Sequence, residues 1–159
     1  MKSESTLHLI VIDDSSNDAE AVSNMLRNAG HAVRTTRAED DEDLRKALEQ
    51  QHWDMILTKL EIPFFSTLDV LSVVEQTGRD LPVIILADPK SDMERVVESL
   101  RAGARDAVPV NESGRLECAL IREFRALNER RRHAQCQALL EEANERAQAL
   151  VESSRDAIA

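Results

Sequence analysis

Trp53-Asp54-Met55-Ile56-Leu57-Thr58-Lys59-Leu60-Glu61-Ile62-Pro63 is the stretch on which the fold turns. Met55 to Thr58 is a short apolar run with no polar alternation, the pattern of a strand buried on both faces. It ends on a lysine, and Pro63 breaks the loop that follows. Asp54 stands at the start of the strand, the wrong end for a site at its C-terminal edge. Strands of this kind are expected in a parallel sheet with helices on both sides.

Working outward, the same unit recurs. Leu7 to Ile12 is an apolar run that ends on Asp13-Asp14. Helix N-cap candidates follow over Ser15 to Asp18, with Asn17 and Glu20 at capping-box spacing. Ala21, Val22, Met25, Leu26 and Ala29 form an amphipathic face, closed by Gly30. Ala32 to Thr36 reads as a strand, and Asp41 to Gln51 as a helix with Leu44, Ala47 and Leu48 inward. Leu68 to Gln76 is a helix ended by Gly78. Val83 to Ala87 is the most apolar strand, and Asp92 caps a helix through Leu100. Ala107 to Pro109 is a short last strand. Five strands alternating with helices predict an α/β fold of flavodoxin-like type. It is a doubly wound five-stranded parallel sheet, order 2-1-3-4-5, with any site at the C-terminal strand ends.

After Gly114 there is no Gly or Pro, and Ala, Glu, Leu, Arg and Gln dominate. This predicts an extended C-terminal helix. Leu116, Leu120, Ile121, Phe124 and Leu127 are expected on the sheet. Beyond them, Cys136, Leu140, Ala143, Ala147 and Leu150 follow a 4-3-4-3 spacing, the period of a coiled-coil seam. Arg130-Arg131-Arg132-His133, among glutamates, reads as a solvated collar. The expected organisation is a sheet domain over 1–126, a linker or coiled-coil helix over 127–152, and the start of a further domain over 153–159.

The chain has 159 residues, 42% hydrophobic and 31% charged, with aromatics at 3% and no Tyr. The core must therefore rest on Leu, Ile, Val and Ala. A net charge of -10 repels nucleic-acid phosphates and anionic lipid. No apolar run approaches the roughly 20 residues of a membrane span, and the short polar N-terminus has no signal-peptide pattern. Cys118 and Cys136, 18 residues apart on one helix, are about 27 Å apart and cannot bridge within a chain. A cytoplasmic location is expected.

The Trp53–Pro63 stretch, together with Asp13-Asp14, resembles the receiver domain of response regulators, over about residues 7 to 126. The resemblance implies the CheY-like fold and a phosphoryl-transfer site, which can be checked by position. The acidic pair that holds a divalent cation is present as Asp13 and Asp14. The acceptor carboxylate, four residues before the proline, is replaced by Lys59. The hydroxyl residue ending the fourth strand is replaced by Ala87. The lysine after the fifth strand falls on Val110, beside Asn111, and the switch aromatic falls on Ala107. A protonated ammonium is no nucleophile for an acyl phosphate. Nothing at Ala87 or Val110 binds phosphoryl oxygens.

The expectation is therefore a non-phosphorylatable pseudo-receiver, not an enzyme, with no catalytic residues, metal or cofactor. Lys59 is expected to pair with Asp13 or Asp14. If that pair is buried, removing one partner would cost about 3–5 kcal/mol. Glu61 lies in the loop past Lys59, and Asp88 before Pro89 reads as a turn residue.

The tail Glu152 to Ala159 resembles the entry into a PAS domain. With Arg105-Asp106-Ala107-Val108-Pro109, it resembles the N-terminal part of FimX-type PAS-GGDEF-EAL proteins. That family binds cyclic di-GMP and regulates type IV pilus motility. No GGDEF or EAL motif lies in residues 1–159, so no cyclic di-GMP binding is expected here. The expected role is protein interaction and dimerisation, through the C-terminal helix, a receiver face or both, with an unidentified protein partner. The alternative is a phospho-switch with an unorthodox acceptor. A flavodoxin-like nucleotide or flavin enzyme is disfavoured, because the first strand–helix loop opens on two carboxylates and has no glycine.

Overall fold

The structure is a computed structural model that describes residues 6–158, with Glu61 and 155–158 described by their backbone only. Five strands form the main sheet: β1 (Leu7–Ile12), β2 (Val33–Ala38), β3 (Met55–Lys59), β6 (Val83–Ala87) and β7 (Asp106–Pro109). They are all parallel, in the order β2-β1-β3-β6-β7. This is the expected 2-1-3-4-5 arrangement once two short strands, β4 (Glu61–Ile62) and β5 (Phe65–Ser66), are set aside.

Side-chain alternation along each strand splits the core into two layers. Leu9, Val11, Met55, Leu57, Ile84 and Leu86 face α1 (Ser16–Asn28) and the first turns of α5 (Ser113–Ile158). Ile10, Ile12, Ile56, Val83 and Ile85 face the other way, toward α2 (Asp41–Gln50), α3 (Thr67–Thr77) and α4 (Met93–Arg101). Trp53 closes the second layer, its indole N–H donating to the Ala47 carbonyl at 2.7 Å. Just before β3, the buried Asp54 carboxylate accepts the His8 backbone N–H at 2.7 Å. It ties β1 to β3 at the end of the sheet away from the site.

Several local expectations are corrected. The cap of α1 is Ser15, the first of the Ser15–Asp18 candidates, whose hydroxyl accepts the Asp18 N–H at 3.3 Å. The capping box belongs instead to α3, between Ser66 and Asp69. On α5, Leu116 and Leu120 are buried, Phe124 packs at the margin of the core and Leu127 is buried. Ile121 stays half-exposed because Ala119 takes the neighbouring inward position.

The segment after Lys59, read as a loop, is a two-residue antiparallel hairpin, β4–β5, turned by Pro63 and Phe64. Phe64 has φ 64° and is fully exposed. A left-handed backbone costs a β-carbon-bearing residue about 1–2 kcal/mol, and an exposed ring has no packing to lose. Phe64→Gly should therefore stabilise the fold by about 1 kcal/mol, after the larger chain entropy that glycine loses on folding. A chemical-denaturation midpoint raised at constant slope is the expected readout.

The chain divides into two compact units, Met1–Phe124 and Arg125–Ala159, two residues before the expected boundary at 126. The second unit is helix throughout its described length, and α5 runs on through the expected boundary at 152 to Ile158. Ala159 lies outside the described residues.

Candidate functional site

Parallel connectivity brings the C-terminal ends of β1, β3, β6 and β7 to one edge of the sheet. Asp13 and Asp14 follow β1, Lys59 ends β3, Ala87 ends β6 and Val110 follows β7. The Val110 N–H donates to the Ala87 carbonyl at 3.0 Å, which holds these two neighbouring ends together.

Asp13 is only 3% exposed. Its Oδ1 accepts the Ser15 N–H at 2.9 Å, and the Arg37 guanidinium donates to its backbone carbonyl at 3.3 Å. Burial pushes the Asp13 carboxyl up from its ordinary 3.8, against the pull of the Ser15 N–H, and a hydrogen bond shared with Asp14 adds to the rise. Asp14 moves the other way, lowered first by that same hydrogen bond and further by Lys59. Asp13 is thus the weaker acid of the two and Asp14 the stronger.

Lys59 Nζ lies 3.7 Å from Asp14 Oδ1. The ammonium faces the acidic pair, but Lys59 and Asp14 are both partly solvent-exposed. The large penalty expected of a buried pair does not apply, and the contact contributes no more than about 1 kcal/mol. Because Lys59 leaves the sheet at its edge, its stem packs while its head stays wet.

The remaining positions sit in apolar surroundings. Ala87 and Ala107 are half-buried against the second core layer. Val110 is half-exposed and carries no polar group. Asp88 accepts the Lys90 N–H at 3.0 Å, while its own N–H donates to Ser91 Oγ at 2.9 Å, as a turn residue does. It also reaches the site's rim. A cleft of about 320 Å³ joins Asp13, Lys59, Asp88 and Val110 to Val22, Met25 and Leu116, which sequence reading had placed only in the core.

A match to the response regulator receiver domain covers residues 9–113. This chain belongs to the response-regulator receiver family. The receiver is 31% identical over 101 residues to the cell cycle transcriptional regulator CtrA of Caulobacter vibrioides, covering 63% of this chain and 42% of that protein. It is 30% identical over 102 residues to the transcriptional regulatory protein DltR of Streptococcus agalactiae, covering 64% and 44%. The chain thus spans less than half the length of these relatives. Among solved structures, a receiver domain protein of Clostridium thermocellum matches with TM-score 0.66 at 21% identity, over 76% of this chain and 95% of that one. NtrX of Brucella abortus matches with TM-score 0.71 at 20% identity, over 82% and 29%. At these identities the structural matches show the fold alone.

The family implies a divalent cation beside the acidic pair. The residues present do not fit one. Among the described residues no group of three or more His, Cys, Asp or Glu side chains converges as ligands, and an ammonium occupies the third position.

The pH dependence follows from the burial of Asp13. Asp13 holds its proton more tightly folded than unfolded, so ionising it opposes folding. Its contribution is most favourable below the ordinary value of 3.8 and is lost as pH rises through its raised folded value. Asp13→Asn keeps an acceptor for Ser15 and a donor for Asp14. It should melt at a higher temperature than the parent at pH 7, the gain shrinking to nothing below pH 3.8. A constant gain at both pH values would show that charge burial is not its source.

Proposed function

We propose that this receiver is a pseudo-receiver, a protein-interaction and dimerisation module without phosphoryl-transfer chemistry. The observation that carries this reading is Lys59, whose ammonium stands at the acceptor position 3.7 Å from Asp14. It supplies a fixed positive charge where a phosphorylated receiver needs a nucleophile and a metal. Ala87 and Val110 offer no donor to a phosphoryl group, and Ala107 no ring to move as a switch. No enzymatic activity, metal or cofactor belongs to this reading.

The second half of the reading is the helix. From residue 131 to residue 154 of α5 every residue is exposed. A solitary helix of this polarity gains little from propensity alone. Leu140 and Leu150 are 69% and 72% exposed, on the 4-3-4-3 spacing with Cys136, Ala143 and Ala147. A second copy of the same helix would cover them. Leu139 and Val151, also exposed, flank that seam and widen it.

In this reading the receiver stands at the N-terminus of a cytoplasmic cyclic di-GMP signalling protein of the FimX type, acting on type IV pilus motility. The tail from Glu152 and the Arg105–Pro109 segment support it by resemblance. Cyclic di-GMP itself would bind elsewhere than residues 1–159.

Sedimentation equilibrium and intact mass after acetyl phosphate with Mg2+ test the two halves separately. A concentration-dependent dimer without a phosphoryl adduct is expected. A stoichiometric adduct would instead favour a phospho-switch with an unorthodox acceptor. A monomer at every concentration would defeat the dimer.

A further inference from the structure

The cleft beside Lys59 has features that the pseudo-receiver reading does not use. One wall is apolar, built from Val22 and Met25 of α1, Leu86 of β6, Val110 and Leu116 of α5. Asp13, which is buried, also lines the cleft. Asp18 and Asp88 line it as well, and both are exposed. The one ammonium in the lining, Lys59, is engaged by Asp14. At about 320 Å³ the cleft falls at the lower end of small-molecule sites.

Its chemistry selects a class of ligand. Three carboxylates against one paired ammonium set a negative field, deepened by the chain's net charge of -10. Phosphate, carboxylate ligands and nucleotides are repelled. The apolar wall disfavours a bare, strongly hydrated metal ion, which would have to give up water without gaining ligands. A head that carries delocalised or hydrogen-bonding positive charge, on a short hydrocarbon body, satisfies both parts. The body would cover Val22, Met25 and Val110, and the head would donate to Asp18 and Asp88. Val110 is what keeps the space open, since a long basic side chain there would fill it.

We propose that this cleft binds a small organic cation, an ammonium or guanidinium group on a short apolar chain. The site goes beyond the dimerisation reading and does not depend on it, because the cleft is formed wholly by residues of the first compact unit.

The test is a methyl-detected NMR titration of residues 1–159 with n-hexylammonium, hexanoate and 1-hexanol as matched probes. Saturable shifts at Val22, Met25, Val110 and Leu116 are expected for hexylammonium, with affinity at least ~10-fold above that for hexanoate. Equal or tighter binding of hexanoate or hexanol overturns the proposal, as does the absence of saturation. Ala21→Phe, on the exposed side of α1 that lines the cleft, should fill it and weaken hexylammonium at least ~10-fold. Undiminished binding in that folded variant also overturns it. Should Ala21→Phe fail to fold, Asp18→Asn with Asp88→Asn decides, since both positions are solvent-exposed. Loss of the preference for the cation over hexanol supports the site, and its retention does not.

Discussion

Lys59→Asp is expected to bind Mg2+ at least ~100-fold more tightly than the parent chain. One substitution removes a positive charge and adds a negative one beside Asp13 and Asp14. At about 4 Å and an effective dielectric near 20, each unit pair of charges interacts by about 4 kcal/mol. Even with much of that lost to solvent, two charge units acting on a divalent ion exceed the 2.7 kcal/mol of a hundredfold change. Lys59 sits 3.7 Å from Asp14 and is partly exposed, so the new carboxylate needs no repacking. Isothermal titration calorimetry of both chains is the direct measurement. No gain in affinity would mean that Lys59 does not govern the pocket's charge. The same variant should remain without a phosphoryl adduct after acetyl phosphate, because Ala87 and Val110 still offer no donor to the transferred group. Adding Ala87→Thr and Val110→Lys should then restore the adduct.

The second large effect concerns the far half of α5. Leu140→Glu with Leu150→Glu should weaken self-association at least ~100-fold, two buried carboxylates each opposing a desolvated seam. Both leucines are solvent-exposed in the single chain, so the monomer keeps its fold and its melting temperature. Sedimentation equilibrium on parent and variant separates this from general unfolding. In a parallel pairing, Cys136 of one copy faces Cys136 of the other, and mild oxidation should crosslink the parent but not the variant. An unchanged association constant would move the contact from the helix to a face of the sheet domain.

Much of the fold is legible because its signals are local. Leu7–Ile12, Met55–Lys59 and Val83–Ala87 are apolar on both faces, and only a sheet covered on both sides accepts such strands. Gly78 ends α3 with φ 67°, where a β-carbon would be strained. The hairpin after Lys59 escaped because Ile62-Pro63-Phe64-Phe65 lacks the glycine or asparagine that marks a positive φ. The backbone adopts that turn despite the residue, since Ile62 and Phe65 are both buried on either side of it. The sequence left the α1 cap open over four residues because Ser15, Ser16, Asn17 and Asp18 are all competent caps. Asp13 accepting the Ser15 N–H sets where the chain turns.

The amino-acid sequence by itself determined the strand and helix order, the receiver resemblance and the lysine four residues before Pro63, because each rests on residue type and spacing. Only the tertiary structure decided that Lys59 meets Asp14 at a wet edge rather than in a buried pair. It alone made Asp13 the weaker acid and Asp14 the stronger, and it opened a cleft joining Val22, Met25 and Leu116 to Asp13. Those outcomes depend on which side of the sheet a helix covers and how far water reaches along its edge. Burial and distance arise between residues far apart in the chain, and no local pattern encodes them.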